Sequence, residues 1–184
     1  MAQRADTKAP RSTALTMWGV AFAVLVADQL SKMWALSALA DGHEQPLIGH
    51  FLTLVLVHNP GAAFSFATSA TWIFTLLATA VVIAIAVLTP RVHHIPWAWV
   101  LGLTAGGAAG NLIDRLIREP GFGQGHVVDF INYDGHFVGN VADIAIVFAA
   151  IGVAWLTLTN VGFDGKPVTD TQKTTTEKTE DAPE

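Results

Sequence analysis

Two carboxylates in this 184-residue chain stand in apolar company. Asp129 lies in His126-Val127-Val128-Asp129-Phe130-Ile131, and Asp143 in Gly139-Asn140-Val141-Ala142-Asp143-Ile144, with no Lys or Arg near either in sequence. Two carboxylates sharing a low-dielectric site cannot both ionise easily, so one of them holds its proton to higher pH. The ionised member can then take a proton from water while the protonated member donates one. This is the chemistry of an aspartic protease, and it requires neither a metal nor a cysteine. The plainer readings are that Asp143 caps the start of a helix, where Asp is a preferred residue, and that Asp129 is a loop acid. Val-Val on one side and Phe-Ile on the other argue against an exposed loop.

Other polar residues sit where apolar ones are expected. Asp28 and Lys32 are four apart, so they share one helical face and can neutralise each other; taken alone, they read as a helix-end ion pair with Lys32 reaching toward lipid headgroups. The run Gly106-Gly107-Ala108-Ala109-Gly110-Asn111-Leu112-Ile113-Asp114-Arg115 brings Asn111, Asp114 and Arg115 to one helical face behind a stretch of small residues. Small residues let a neighbouring helix approach closely. A packing network explains the glycines but not three strongly polar side chains together. Asp114 has Arg115 beside it and Arg118 four residues on, which fits an ionised, supporting acid. Asp41 and Asp134 adjoin glycines and read as solvated. No metal or cofactor is expected. The seven histidines form no H-E-x-x-H pair, and His126, Asp129, His136 and Asp143 lack the usual zinc-ligand spacing. There is no cysteine and no G-x-S-x-G nucleophile elbow.

The elements that must hold these groups are hydrophobic. Of 25 formal charges only 12 fall in residues 12–163, where a water-soluble domain would carry roughly 38 at about a quarter of its residues. That composition excludes a soluble globular enzyme, and the lack of a basic patch excludes a nucleic-acid binder. Four stretches approach the roughly 20 apolar residues that span a bilayer: 12–27 resuming at 33–40, 72–89, 96–113 and 144–163. The expected fold is a membrane all-α bundle of four transmembrane helices, at about 12–36, 70–89, 96–118 and 141–162. A small β-rich element on the outer side, at about 44–66, completes it, because 46–59 is rich in β-branched and large apolar residues and ends on the turn signal Asn59-Pro60-Gly61. Residues 1–11 read as a cytoplasmic tail, 12–163 as the transmembrane domain and 164–184 as a disordered cytoplasmic tail. A cleavable signal peptide is disfavoured by Asp28 and Lys32, which interrupt the apolar run before any cleavage site. Seven Lys and Arg residues flank one side of these spans (Arg4, Lys8, Arg11, Arg91, Lys166, Lys173, Lys178) and three the other (Lys32, Arg115, Arg118). The positive-inside rule then puts both termini in the cytoplasm and 41–71 and 119–142 outside. Intramembrane acids also mark ion pathways. Here the acids gather toward the outer helix ends and the helix centres carry no charge, which disfavours a transporter or proton relay.

Five blocks, in order, resemble those of the lipoprotein signal peptidases (signal peptidase II), the bacterial membrane aspartyl proteases that process prolipoproteins. They are Asp28-Gln29-Leu30-Ser31-Lys32, Asn59-Pro60-Gly61-Ala62-Ala63-Phe64, Gly106-Gly107 through Gly110-Asn111 to Asp114-Arg115, Val127-Val128-Asp129-Phe130, and Asn140-Val141-Ala142-Asp143. The resemblance covers about residues 12–160. It implies catalytic Asp129 and Asp143, supported by Asp28, Lys32, Asn59, Gly107, Asn111, Asp114, Arg115, Asn140 and Ala142, with no metal. It implies a diacylglyceryl-prolipoprotein substrate, cut just before its lipidated cysteine, and a monomer in the bacterial inner membrane in contact with its lipid. A scaffold role would leave the five blocks unexplained. Two departures bear on the outer loop: a bulky or aromatic residue usually precedes the Asn-x-Ala-Asp block where Gly139 stands here, and the stretch between the aspartates is short. The tails have no counterpart in the family core.

Overall fold

The structure is a computed structural model that describes residues 10–61 and 71–168. The tail 1–9, the segment 62–70 (which holds the end of the Asn59–Phe64 block) and residues 169–184 lie outside the described residues. Four long helices, α1 (Arg11–Ala38), α2 (Thr71–Leu88), α3 (Ile95–Ile117) and α4 (Val141–Leu158), are accompanied by two strand pairs, β1 (Gln45–Ile48) and β2 (Leu52–Asn59) between α1 and α2, and β3 (Val127–Tyr133) and β4 (Phe137–Gly139) between α3 and α4. By length and composition three helical segments can cross a membrane: Arg11–Ala38, Thr71–Arg91 and Val141–Leu158, with mean hydropathies of 1.5, 2.5 and 2.2. They turn large apolar side chains outward, among them Phe22, Leu76, Leu77, Phe148, Ile151 and Trp155. Such a surface would be an aggregation hazard in water and is ordinary against lipid.

α3 differs because its neighbours, not lipid, cover it. It touches all three other helices, and its glycines explain how. A Cβ at Gly102 would lie 2.6 Å from the Met17 carbonyl oxygen, one at Gly106 2.6 Å from that of Ala21, and one at Gly107 2.7 Å from that of Ala142. Gly110 lies equally close against the Asp28 carboxylate. Gly102, Gly106 and Gly110 recur every four residues and face α1, while Gly107 faces α4. Packing at this range substitutes for a hydrophobic drive that lipid does not supply.

The strands form one antiparallel sheet in the order β1-β2-β3-β4. β2 pairs with β3 in a register that sets Val57 opposite Asp129 and Asn59 opposite Val127, with an irregularity between Leu54 and Val57. The β-rich character of 46–59 is realised in β1 and β2, whereas β3 and β4 are additional to the expected elements. Their hairpin turns at Asp134 and Gly135, with φ of 52° and 73°, the left-handed conformation that Asp-Gly favours in tight hairpins. One end of the bundle carries the sheet, through Phe130 on Ala35 of α1 and on Leu39 just after that helix, and an edge-to-face contact with Trp34 at 6.2 Å.

At the far end, α4 stops at Leu158, and the chain turns back instead of continuing to about 162. Asn160 adopts φ of 57°, Val161 bridges Pro167, and Trp97 donates from Nε1 to the Val161 carbonyl at 2.9 Å. Composition sets the disordered tail at 164, but Asp164 to Val168 form an ordered turn. Phe163 explains the difference: its ring packs on Trp97, with centroids 4.7 Å apart.

Candidate active site

The site assembles where the C-terminal ends of α1 and α3 and the N-terminus of α4 meet the sheet. Lys32 is fully buried. Its ammonium lies 2.8 Å from Asp28 Oδ2 and 2.7 Å from Asp114 Oδ2, and it donates to Asn111 Oδ1 at 3.0 Å. All three donors are used, as a lysine withdrawn from water requires. The isolated helix-end pair is thereby corrected: Lys32 points inward because Asp114, 82 positions along the chain, supplies the second carboxylate.

Each partner of Lys32 reaches another element. Asp28 Oδ1 accepts from the Ala142 backbone N–H at 3.0 Å, holding the start of α4 against α1. Asp114 accepts from the Val128 backbone N–H at 3.2 Å and from Arg118 Nε at 2.7 Å, and so fixes β3 one residue before Asp129. Asn111 donates to Asp143 Oδ1 at 3.0 Å. Gln29, in the first matched block but with no role legible from sequence, donates to Asp28, Asp114 and the Gly110 carbonyl. Its position one residue after Asp28, in the same block, was the available signal.

The two apolar-flanked acids come together around Asn140. Its Nδ2 donates to Asp129 Oδ1 at 2.6 Å, while its backbone N–H donates to Asp143 Oδ2 at 3.1 Å and its Oδ1 accepts from the Asp143 backbone N–H at 3.1 Å. Asn140 is the helix cap and Asp143 the third residue of a capping box; Asp143 is therefore not itself the cap. Asn59 Nδ2 donates to Asp129 Oδ2 at 2.8 Å while its Oδ1 accepts from Gly61. Each oxygen of both carboxylates thus receives one neutral donor, leaving a lone-pair position for water or substrate. Asp129 is 2 % exposed. Burial pushes its pKa up to about 6, with the Asp143 charge adding to the rise and the amides of Asn59 and Asn140 opposing it.

Arg115 is largely buried and, among the described residues, forms no ion pair with a carboxylate. Its guanidinium stacks 5.4 Å from the Phe74 ring centroid, and Nη1 has no hydrogen-bond partner among the described residues. With Asn111 it closes one end of an apolar cleft between α2, α3 and α4 of about 290 Å3. Asn111, Asp114 and Arg115 share one face in sequence, yet they serve three directions: Asp143, Lys32 and this cleft. Gly107 acts through its smallness at the α3–α4 crossing, where a Cβ would meet the Ala142 carbonyl oxygen, and Ala142 serves through its backbone, its N–H donating to Asp28. His126 lines a separate cleft with His58 and Arg118, and His136 borders Asp129; among the described residues no three His, Cys, Asp or Glu side chains converge to hold a metal.

Comparison with known proteins points to one family. The family model for signal peptidase (SPase) II matches residues 20–159. A lipoprotein signal peptidase of Leifsonia xyli subsp. xyli is 42 % identical over 161 residues, covering 87 % of this chain and 74 % of that protein. One of Rhodococcus jostii is 46 % identical over 151 residues, 82 % of this chain and 76 % of its own length. A solved bacterial membrane enzyme shares the fold with a TM-score of 0.70 at 22 % identity, over 91 % of this chain and all of that one. The spans and this shared fold make the chain a multi-pass membrane protein. With the family model covering most of its length and both carboxylates inside the match, the chain belongs to the signal peptidase II family.

Proposed function

We propose that this peptidase removes the signal peptide from diacylglyceryl-modified prolipoproteins with Asp129 and Asp143 as its acid–base pair, cutting just before the lipidated cysteine. The observation that carries the reading is the junction at Asn140, which ties two carboxylates together with, among the described residues, only neutral donors on their oxygens. Asp129, whose pKa burial raises to about 6, is the member that holds the proton. Asp143 takes a proton from water as the water oxygen bonds to the scissile carbonyl carbon, and Asp129 protonates the carbonyl oxygen. When the C–N bond breaks, Asp143 returns its proton to the leaving nitrogen and Asp129 recovers one from the diol. Asp28, Lys32, Asp114, Asn59, Asn111, Asn140, Gly107 and Ala142 hold the pair in place. Arg115, a rigid fork whose Nη1 has no partner among the described residues, positions substrate carbonyls.

The wider setting belongs to the same proposal. α3, 23 residues long and so about 34 Å at 1.5 Å per residue, is the fourth span, its polar end covered by protein. Residues 12–163 form the peptidase domain between two cytoplasmic tails, in the bacterial inner membrane. The sheet and the aspartates lie near the outer face, and the enzyme works as a monomer within the lipid. Neither a metal nor a cofactor enters the chemistry.

The test is purified protein incubated with diacylated and unmodified prolipoprotein. Wild type should release signal peptide from the diacylated form, and Asp129→Asn and Asp143→Asn should each retain less than about a hundredth of that rate, the lower bound of an acid–base contribution. Retention above that level by either variant refutes the pair.

A further inference from the structure

The two aspartates open onto different clefts. Asp129 lines one of about 280 Å3 with Asn59, His58 and His136. Asp143 lines another, of about 300 Å3, with Tyr133, Ile144 and Val147. Among the described residues Phe137 alone borders both. The clefts differ in chemistry. Histidines and an amide edge the first, whereas the second is apolar apart from Asp143 and the Tyr133 hydroxyl, and runs onto the outward face of α4, where Val147 is exposed.

Sequence and register explain why Phe137 can stand there. Residues 137 and 139 point to the same face of β4, since side chains alternate along a strand. Gly139 has no side chain, and the Phe137 ring fills its space: a Cβ on residue 139 would lie 2.6 Å from Phe137 Cε1 and 3.0 Å from Asp143 Oδ2. The ring stacks on Tyr133, directly across the hairpin, with centroids 6.1 Å apart and planes inclined by 25°. It is nevertheless 49 % exposed, so the core does not depend on it.

We infer that Phe137 is a specificity-determining wall. It directs the lipid-bearing side of the substrate into the apolar cleft beside Asp143 and the polypeptide past Asp129, so that the scissile carbonyl is held between the two carboxylates. The inference rests on the peptidase reading of this site and adds to it the residue that orients the substrate.

The experiment uses the full chain and four proteins: wild type, Phe137→Ala, Gly139→Phe, and the double variant. Each is assayed on diacylated and unmodified prolipoprotein and its melting temperature measured. Phe137→Ala should lose about ten-fold or more in kcat/KM on the diacylated substrate, as misplacement near the reacting atoms does. It should also bring the diacylated-to-unmodified ratio toward one, with its melting temperature unchanged. A merely structural role would not move that ratio. Gly139→Phe alone forces two rings into one space and should lose comparable activity. The double variant stands one ring there again and should recover both rate and ratio. An unchanged ratio in Phe137→Ala, or a double variant no better than either single one, overturns the wall. Asp129→Asn on the same substrates keeps the two ideas apart: if it is inactive while wild type cleaves, the peptidase reading stands whatever the Phe137 variants do.

Discussion

Asp114 and Asp129 are both buried acids, and their partners set them apart. Asp114 meets two cations, Lys32 and Arg118, at 2.7 Å each. Among the described residues Asp129 accepts hydrogen bonds from the amides of Asn59 and Asn140 and from no cation, and amides satisfy a carboxylate without neutralising it. Burial therefore dominates and moves the Asp129 pKa from 3.8 to about 6. Between those values the folded protein holds a proton that the unfolded chain has released, so this stability is fully present below about pH 3.8 and lost as pH rises through about 6. At about 1.4 kcal/mol per unit the full swing is about 3 kcal/mol. Asp129→Asn cannot titrate, although its amide would set N–H against one of the two donors and cost about 1 kcal/mol at every pH. Thermal unfolding in detergent from pH 4 to 7 should thus show wild type losing stability relative to Asp129→Asn as pH rises. A constant difference would mean that the carboxyl titrates normally.

Among elements, α3 bears the tightest constraint. Gly106→Ala would drive a methyl group to 2.6 Å from the Ala21 carbonyl and into Val24. Backbone cannot yield as a flexible side chain can, so α1 and α3 must separate, at a cost of about 1–3 kcal/mol. Gly19 on α1 has nothing within 4 Å, and Gly19→Ala should leave the melting temperature unchanged or slightly raised, since Ala is the better helix former. Equal behaviour of the two variants would contradict the close crossing. The small-residue run was legible because spacing along one helix is local information. So was the strand character of 46–59, from its β-branched content. β3 was less legible although Val127–Tyr133 has strand composition and Asp134-Gly135 a hairpin turn, because a strand is completed by its partner and β2 lies about 70 residues earlier. Lys32 was half legible for a similar reason: Asp28 is four residues away, but Asp114 is brought in only by the α1–α3 crossing. Gly139, which read as a departure, is explained by Phe137 two residues before it, a relation that needs the strand to be recognised first.

At the scale of the whole molecule, the proposed chemistry sets the direction in which the chain must sit. A lipid-bearing substrate keeps its acyl chains in the bilayer, so the aspartates must lie near a membrane surface, and the sheet is at the same end of the bundle. Seven of ten Lys and Arg residues belong to the opposite end or to the tails beyond it, and positive flanks stay in the cytoplasm. On this proposal the sheet end is outside. Because the chain has no cysteine, one introduced thiol reports its own side without background. His43, exposed just before β1, and Arg91, in the turn before α3, stand at opposite ends. In intact cells a membrane-impermeant maleimide should label His43→Cys, and should label Arg91→Cys only after the inner membrane is permeabilised. Both positions lie away from the carboxylates, so each variant should still process prolipoprotein, which verifies that the labelled molecules are inserted as the native one is. The opposite pattern would turn the molecule over. The aspartates would then lie at the cytoplasmic surface, and the positive-inside assignment would fail together with the outer-face site built on it.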